Sequence, residues 1–181
     1  MRAHFGGSSR KSLVASRVSL DAAVKGADAN SASALSSELF FVADVLSTNI
    51  AVRRALTDPS RDGKAKAAFI SELFGKKVGG VALGLVTELS SLRWSAPKDL
   101  VLVLEQLAIE AEASAANIAG ELDRVEDEIF TAAAAFASST DLRKALTSDA
   151  TNAKATLVAD ILKGASGSTV KLVSQMVNAW R

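Results

Sequence analysis

The chain repeats itself at a separation of about ninety residues, and this constrains its fold more than any other feature, because duplicated helical units must each bury the same face. Glu38-Leu39-Phe40 returns as Glu128-Ile129-Phe130, and Val52-Arg53-Arg54-Ala55-Leu56-Thr57 returns as Leu142-Arg143-Lys144-Ala145-Leu146-Thr147. Ala65-Lys66-Ala67 is echoed by Ala153-Lys154-Ala155, and Leu85-Val86 by Leu172-Val173, with a few residues lost from the second copy. The copies share an apolar stripe: Leu35, Leu39, Val42 and Leu46 align with Val125, Ile129, Ala132 and Phe136. Their spacing of four, three and four is that of one helix face. No catalytic group repeats with the scaffold, which points toward binding.

Helical periodicity accounts for nearly the whole chain. Leu13, Leu20 and Val24 mark a first helix that Gly26 stops, and the Leu35 stripe marks a second over 32–48 with Asn49 at its end. A short helix follows over 50–57, then a loop at Asp58-Pro59-Ser60-Arg61-Asp62-Gly63. A fourth helix, 64–74, is expected to bury Ala65, Phe69 and Leu73 and to end in a left-handed cap at Gly75. A fifth, 81–94, turns Leu85, Val86, Leu89 and Leu92 inward.

From Pro97 the apolar positions Leu100, Leu104, Leu107, Ala111, Ala115, Ile118, Leu122, Val125, Ile129, Ala132 and Phe136 predict one helix of some forty residues, about 60 Å long, with Gly120 its one expected kink. That element closes the first unit and opens the second, so the copies are expected to be joined through a shared helix. The second copy repeats the short helix over 141–147, the Ala-Lys-Ala helix over 152–163 with Gly164 as cap, and a final helix over 168–180. It has no counterpart of the helix that begins at Pro97, which leaves Leu172, Val173, Met176 and Val177 expected to lack a cover.

Composition narrows the chemistry. An apolar share of 49% with 5% aromatics, no Tyr and two prolines is the profile of packed helices. A net charge of +1 gives no global field to hold a polyanion, so nucleic acid is not expected as a partner. The absence of cysteine excludes disulfides and thiol chemistry and fits a reducing compartment. No signal-peptide core follows the basic start, and the longest apolar run, Leu100-Val101-Leu102-Val103-Leu104, is far short of the roughly twenty residues of a bilayer crossing. Membrane association would come through a partner.

No catalytic constellation emerges. The single histidine, His4, stands in a tail with no base or nucleophile in its context. Asp123, Glu126, Asp127 and Glu128 point round different sides of a helix, as a charged face does, and supply no metal site. Gly75-Lys76-Lys77-Val78-Gly79-Gly80 has the residue types of a phosphate loop, but no Ser or Thr follows a lysine and no strand precedes it. Arg53-Arg54 and Arg143-Lys144 read as a solvated or salt-bridged face, or alternatively as a partner contact. Trp94 and Trp180 each end an equivalent helix, as core anchors or as an interface.

The run from Leu39-Phe40 through Leu46, Val52-Arg53-Arg54-Ala55-Leu56-Thr57-Asp58-Pro59, a helix ending near Gly75 and another ending at Arg93-Trp94 resembles the delta subunit of the rotary proton-translocating ATP synthase, the bacterial relative of the oligomycin-sensitivity-conferring protein. It is most similar to long bacterial versions with a duplicated helical domain. The resemblance implies an all-α fold, with a six-helix bundle over 1–118 and a second, truncated copy over 119–181. It implies a non-catalytic stator without cofactor, peripheral to the cytoplasmic side of the bacterial cell membrane, that couples proton translocation to ATP synthesis by linking the catalytic head to the peripheral stalk. The implied partners are the alpha subunit, whose N-terminal helix lies in a groove between the first and fifth helices, and the stalk b subunit. Carried onto this sequence, that groove comprises Leu13 and Val18 on the first helix with Leu85, Val86 and Leu89 on the fifth. The family normally continues into a C-terminal segment with strands, which is not found here and leads to the expectation of a fragment. The alternative function is a helical-repeat adaptor for another amphipathic helix.

Overall fold

The computed structural model describes residues 5–140, 142, 144 and 151–179, and among these every regular element is a helix. The elements are α1 (Gly7–Val24), α2 (Ala29–Thr48), α3 (Ile50–Thr57), α4 (Gly63–Phe74), α5 (Gly80–Ser91), α6 (Pro97–Ile118), α7 (Leu122–Ser138), α8 (Thr151–Ile161) and α9 (Gly167–Ala179). His4, the segment expected as a short helix over 141–147 apart from residues 142 and 144, and Trp180 lie outside the described residues. The chain divides into two compact units, 1–114 and 115–181.

In the first unit α5 is the hub, packing on α1, α2, α3 and α4. The α2 stripe is buried throughout, at Leu35, Leu39, Val42 and Leu46, and Asp28 starts the helix by accepting the Ser31 amide N–H at 2.7 Å. α1 is the exception among these helices, because its inward side is mostly hydroxyl: Ser9, Ser12, Ser16 and Leu20 are its buried residues. Ser9 Oγ donates to Asp99 Oδ2 at 2.7 Å and Ser12 Oγ to the Arg93 carbonyl at 2.6 Å. The helix therefore begins at Gly7, within the stretch that lacks apolar periodicity, since hydrogen bonds hold it where apolar contacts would not.

Three further expectations are corrected. α4 buries Lys66, Ile70 and Phe74, one residue on from the expected face, because the Lys66 ammonium reaches the Ser90 carbonyl at 2.9 Å and its stem runs along the interior. Gly75 is right-handed (φ −60°, ψ −19°), its N–H simply continuing the ladder to the Ser71 carbonyl. The forty-residue helix is two helices. α6 ends at Ile118 and Gly120 takes φ +72°, with the Glu121 N–H on the Ala116 carbonyl at 2.8 Å and the Gly120 N–H on Asn117. That pattern of a long and a short return bond around a left-handed glycine terminates a helix rather than bending it.

In the second unit α9 packs on α7 and α8. Its core gathers Ala132, Val158, Leu162, Val173 and Val177, with Ile129, Phe136, Leu157 and Ile161 half-buried against it. Leu172, Val173 and Val177 are thus buried, contrary to expectation, and of the four residues expected to be bare only Met176 is exposed.

Candidate functional site

The five residues expected to form a groove separate. Leu85, Val86 and Leu89 lie inside the core, facing the helices that surround α5. Leu13 is half-buried, and Val18 stands in solvent. What the α1–α5 surface offers outward is a different apolar set: Val14 (62% exposed), Val18 (66%) and Val81 (57%). The resemblance supplied neither Val14 nor Val81. The signal for α1 was the serine row Ser9, Ser12 and Ser16, whose inward turn forces Val14 and Val18 out.

Hydrogen bonds fix how these two helices lie. Ser12 meets Arg93 and Ser19 Oγ donates to Glu88 Oε1 at 2.6 Å, so as α1 advances α5 runs back and the pair is antiparallel. Glu88, Gly84 and Val81 share one face of α5 at helical spacing, and a Cβ added at Gly84 would meet nothing within 4 Å. Val14 and Val18 of α1 with Val81 and Gly84 of α5 are thus exposed positions of this helix pair, together the valine strip. On the flank of α1 away from this strip, Arg17 Nη2 bonds Glu110 Oε1 at 2.6 Å, tying α1 to α6.

A second recurring feature is polar. Glu38 of α2 accepts the Gly79 amide at the start of α5, with Oε1 at 2.8 Å. Glu128 of α7, its aligned counterpart, accepts the Ser166 amide at the start of α9, with Oε2 at 2.9 Å. Glu128 Oε2 also receives Thr169 Oγ1–H at 2.6 Å and Ser166 Oγ–H at 2.8 Å, while Oε1 takes Arg124 Nε–H at 2.8 Å. These donors, Thr169 foremost, hold its carboxyl down at about 2. Each unit thus uses one glutamate to cap its later helix.

The remaining candidates are structural or open. Arg53 Nη1 donates to the Leu46 and Ser47 carbonyls at 3.1 Å each, closing the end of α2, whereas Arg54 is exposed. Arg143 lies outside the described residues. Gly79 and Gly80 start α5, so the lysines of the glycine-rich stretch lie in the turn before it. Among the described residues no group of three or more His, Cys, Asp or Glu is placed to hold a metal ion.

No protein-family model matches the chain. Curated relatives do. The ATP synthase subunit delta of Streptomyces coelicolor is 42% identical over 178 residues, covering 97% of this chain and 65% of that protein. This chain belongs to the ATP synthase delta subunit family. The delta subunit of Salinispora tropica is 40% identical over 91% of the chain and 61% of that protein, and that of Kineococcus radiotolerans 39% over 97% and 64%. The chain therefore spans a little under two thirds of the length of these delta subunits. Among the described residues no single helix is long and apolar enough to cross a membrane.

Proposed function

We propose that this chain serves as a stator component of the ATP synthase, a non-catalytic subunit that links the catalytic head to the peripheral stalk so that proton translocation is coupled to ATP synthesis. The observation that carries the reading is the 42% identity to a delta subunit across nearly the whole chain. In this reading the chain is peripheral to the cell membrane, on its cytoplasmic side, and its partners are the alpha subunit of the head and the b subunit of the stalk. The first unit is the six-helix bundle of the family and the second a shortened copy of it. The paired caps at Glu38 and Glu128 support that duplication.

The surface assigned to the alpha-subunit helix is the strip of Val14 and Val18 on α1 with Val81 and Gly84 on α5, in place of the buried leucines. An amphipathic helix laid there would set apolar side chains between the valines and over the bare Gly84 backbone. Because Leu85 and Leu89 are buried, charges placed on them would report on folding and not on binding. Calorimetric titration with a synthetic peptide of the cognate alpha subunit's N-terminal helix tests the reading. Saturable one-to-one binding is expected, weakened at least tenfold by Val18→Asp and by Gly84→Trp while the thermal unfolding of both variants stays cooperative. Absence of heat at high peptide concentration, or unchanged affinity in both variants, would overturn it.

A further inference from the structure

On the first unit a cleft of about 340 Å³ is lined by Arg54, Thr57, Asp58, Pro59, Trp94 and Pro97, from the end of α3 and the α5–α6 turn. It is separate from the valine strip, and the delta-family reading leaves it without a role. Its volume falls within the range of small-molecule and side-chain pockets.

The lining groups differ in how committed they are. Trp94 is half-buried and its Nε1–H donates to the Leu89 carbonyl at 3.0 Å, which fixes the plane of the indole and leaves its ring as a wall of the cleft. Thr57 Oγ1–H is spent on the Arg53 carbonyl at 2.9 Å. Asp58 Oδ1 already accepts the Ser60 amide at 2.9 Å and the Ser60 hydroxyl at 2.7 Å. The Arg54 guanidinium is exposed, with no hydrogen bond or ion pair to a described residue. Of the lining side chains one is cationic, Arg54, and one is a carboxylate, Asp58, whose Oδ1 is occupied by Ser60.

From the juxtaposition of the anchored Trp94 indole, the two prolines and the uncommitted Arg54 fork, we propose that this cleft binds an acidic peptide segment, taking a carboxylate on Arg54 and a neighbouring aromatic or proline ring against Trp94. The planar guanidinium matches a carboxylate with two parallel N–H donors, and the indole with Pro59 and Pro97 supplies an apolar floor that excludes water from that pair. A lysine would give the charge without the fork. The partner's chemistry follows: a carboxylate within one residue of a ring, in an extended stretch short enough to enter the cleft.

The test uses the full chain carrying Trp180→Phe, so that Trp94 is its one indole, titrated with N-acetyl-phenylalanine, with the corresponding amide, and with sodium acetate. Trp94 fluorescence should saturate with a dissociation constant on the order of 1 mM for N-acetyl-phenylalanine. The amide should bind about tenfold more weakly, as should N-acetyl-phenylalanine to Arg54→Gln, with Arg54→Lys falling between. Circular dichroism of the Arg54 variants should match the parent, since the side chain is exposed. No saturation by 20 mM (on the order of twenty times the expected constant), equal affinity for acid and amide, or an Arg54→Gln variant that binds like the parent would overturn the proposal. Acetate saturating at the same concentration as N-acetyl-phenylalanine would overturn it as well, by reducing the cleft to a plain anion site.

Discussion

Replacing Lys66 with methionine should leave the protein as stable as it is, or more so. The residue is 4% exposed, and among the described residues its ammonium has one acceptor, the Ser90 carbonyl at 2.9 Å. Taking an ammonium out of water costs several kcal/mol even after relaxation. A hydrogen bond from a charged donor returns about 1.5–3 kcal/mol, and the position beside the last turn of α5 adds up to about 2 kcal/mol from the helix dipole. The terms nearly cancel, and methionine keeps the stem's packing while removing the desolvation cost, so Lys66→Met should change stability by about 1 kcal/mol or less at pH 7, in the stabilising direction. Lys66→Ala, which empties the space as well, should cost about 2 kcal/mol or more.

The pH dependence separates this account from a merely tolerant site. Burial, the largest cause, lowers the Lys66 pKa below its ordinary 10.5. Between the lowered folded value and 10.5 the unfolded chain binds more protons than the folded one, so wild-type stability should rise with pH through that window. Lys66→Met should lack the rise. The absence of Tyr and Cys makes the measurement clean, because only lysines and the α-amino group otherwise titrate there. Urea unfolding at pH 7, 9 and 10.5 for both proteins provides the comparison. A methionine variant less stable by more than about 2 kcal/mol, or a wild-type protein whose stability relative to it falls toward pH 10.5, would refute the balance.

Other outcomes follow from the same geometry. Glu128, held at about 2, contributes stability that is fully present above the unfolded carboxylate range and lost as pH falls through about 2; Glu128→Gln should flatten that acid limb for the second unit in an NMR-monitored titration, with signals of the first unit unaffected. Leu39→Ala, at a fully buried position, should cost about 2.7–5 kcal/mol in denaturant unfolding, whereas Ile129→Ala at the aligned, half-buried position should cost clearly less. Gly120→Ala introduces no clash, as nothing lies within 4 Å of the new Cβ, so its cost should be the purely conformational one of a left-handed alanine, about 1 kcal/mol.

What could be read from the chain beforehand was the part governed by apolar periodicity. The stripe Leu35, Leu39, Val42 and Leu46 fixed a helix and its inward side, and Asn49 with Pro59 bounded α3 where the structure does. Reading failed where polar atoms do the burying. α1 turns inward, beside Leu20, serines that apolar spacing does not mark, and α4 turns in a lysine, so that apolar spacing there marked a face one residue off. The break at Gly120 was hidden because apolar residues keep the helical spacing on both sides of it, while the left-handed turn depends on one residue's backbone. The candidate groove came from the family resemblance and not from periodicity, and a resemblance does not say which side of a helix faces the core: Leu85, Val86 and Leu89 are buried, whereas Val18 is exposed.

The serine seam of α1 has a mechanical meaning. Two surfaces joined by methyl groups can slide past one another by a fraction of a turn with little loss, since one greasy contact replaces another. A row of hydroxyls cannot, because Ser9 must meet Asp99, Ser12 must meet the Arg93 carbonyl and Ser19 must meet Glu88, and an offset forfeits all three together. α1 is therefore keyed and not glued. A load pulling along its axis is opposed by bonds that break in unison rather than by friction, so the valines on its outer side keep their place until the whole key lets go.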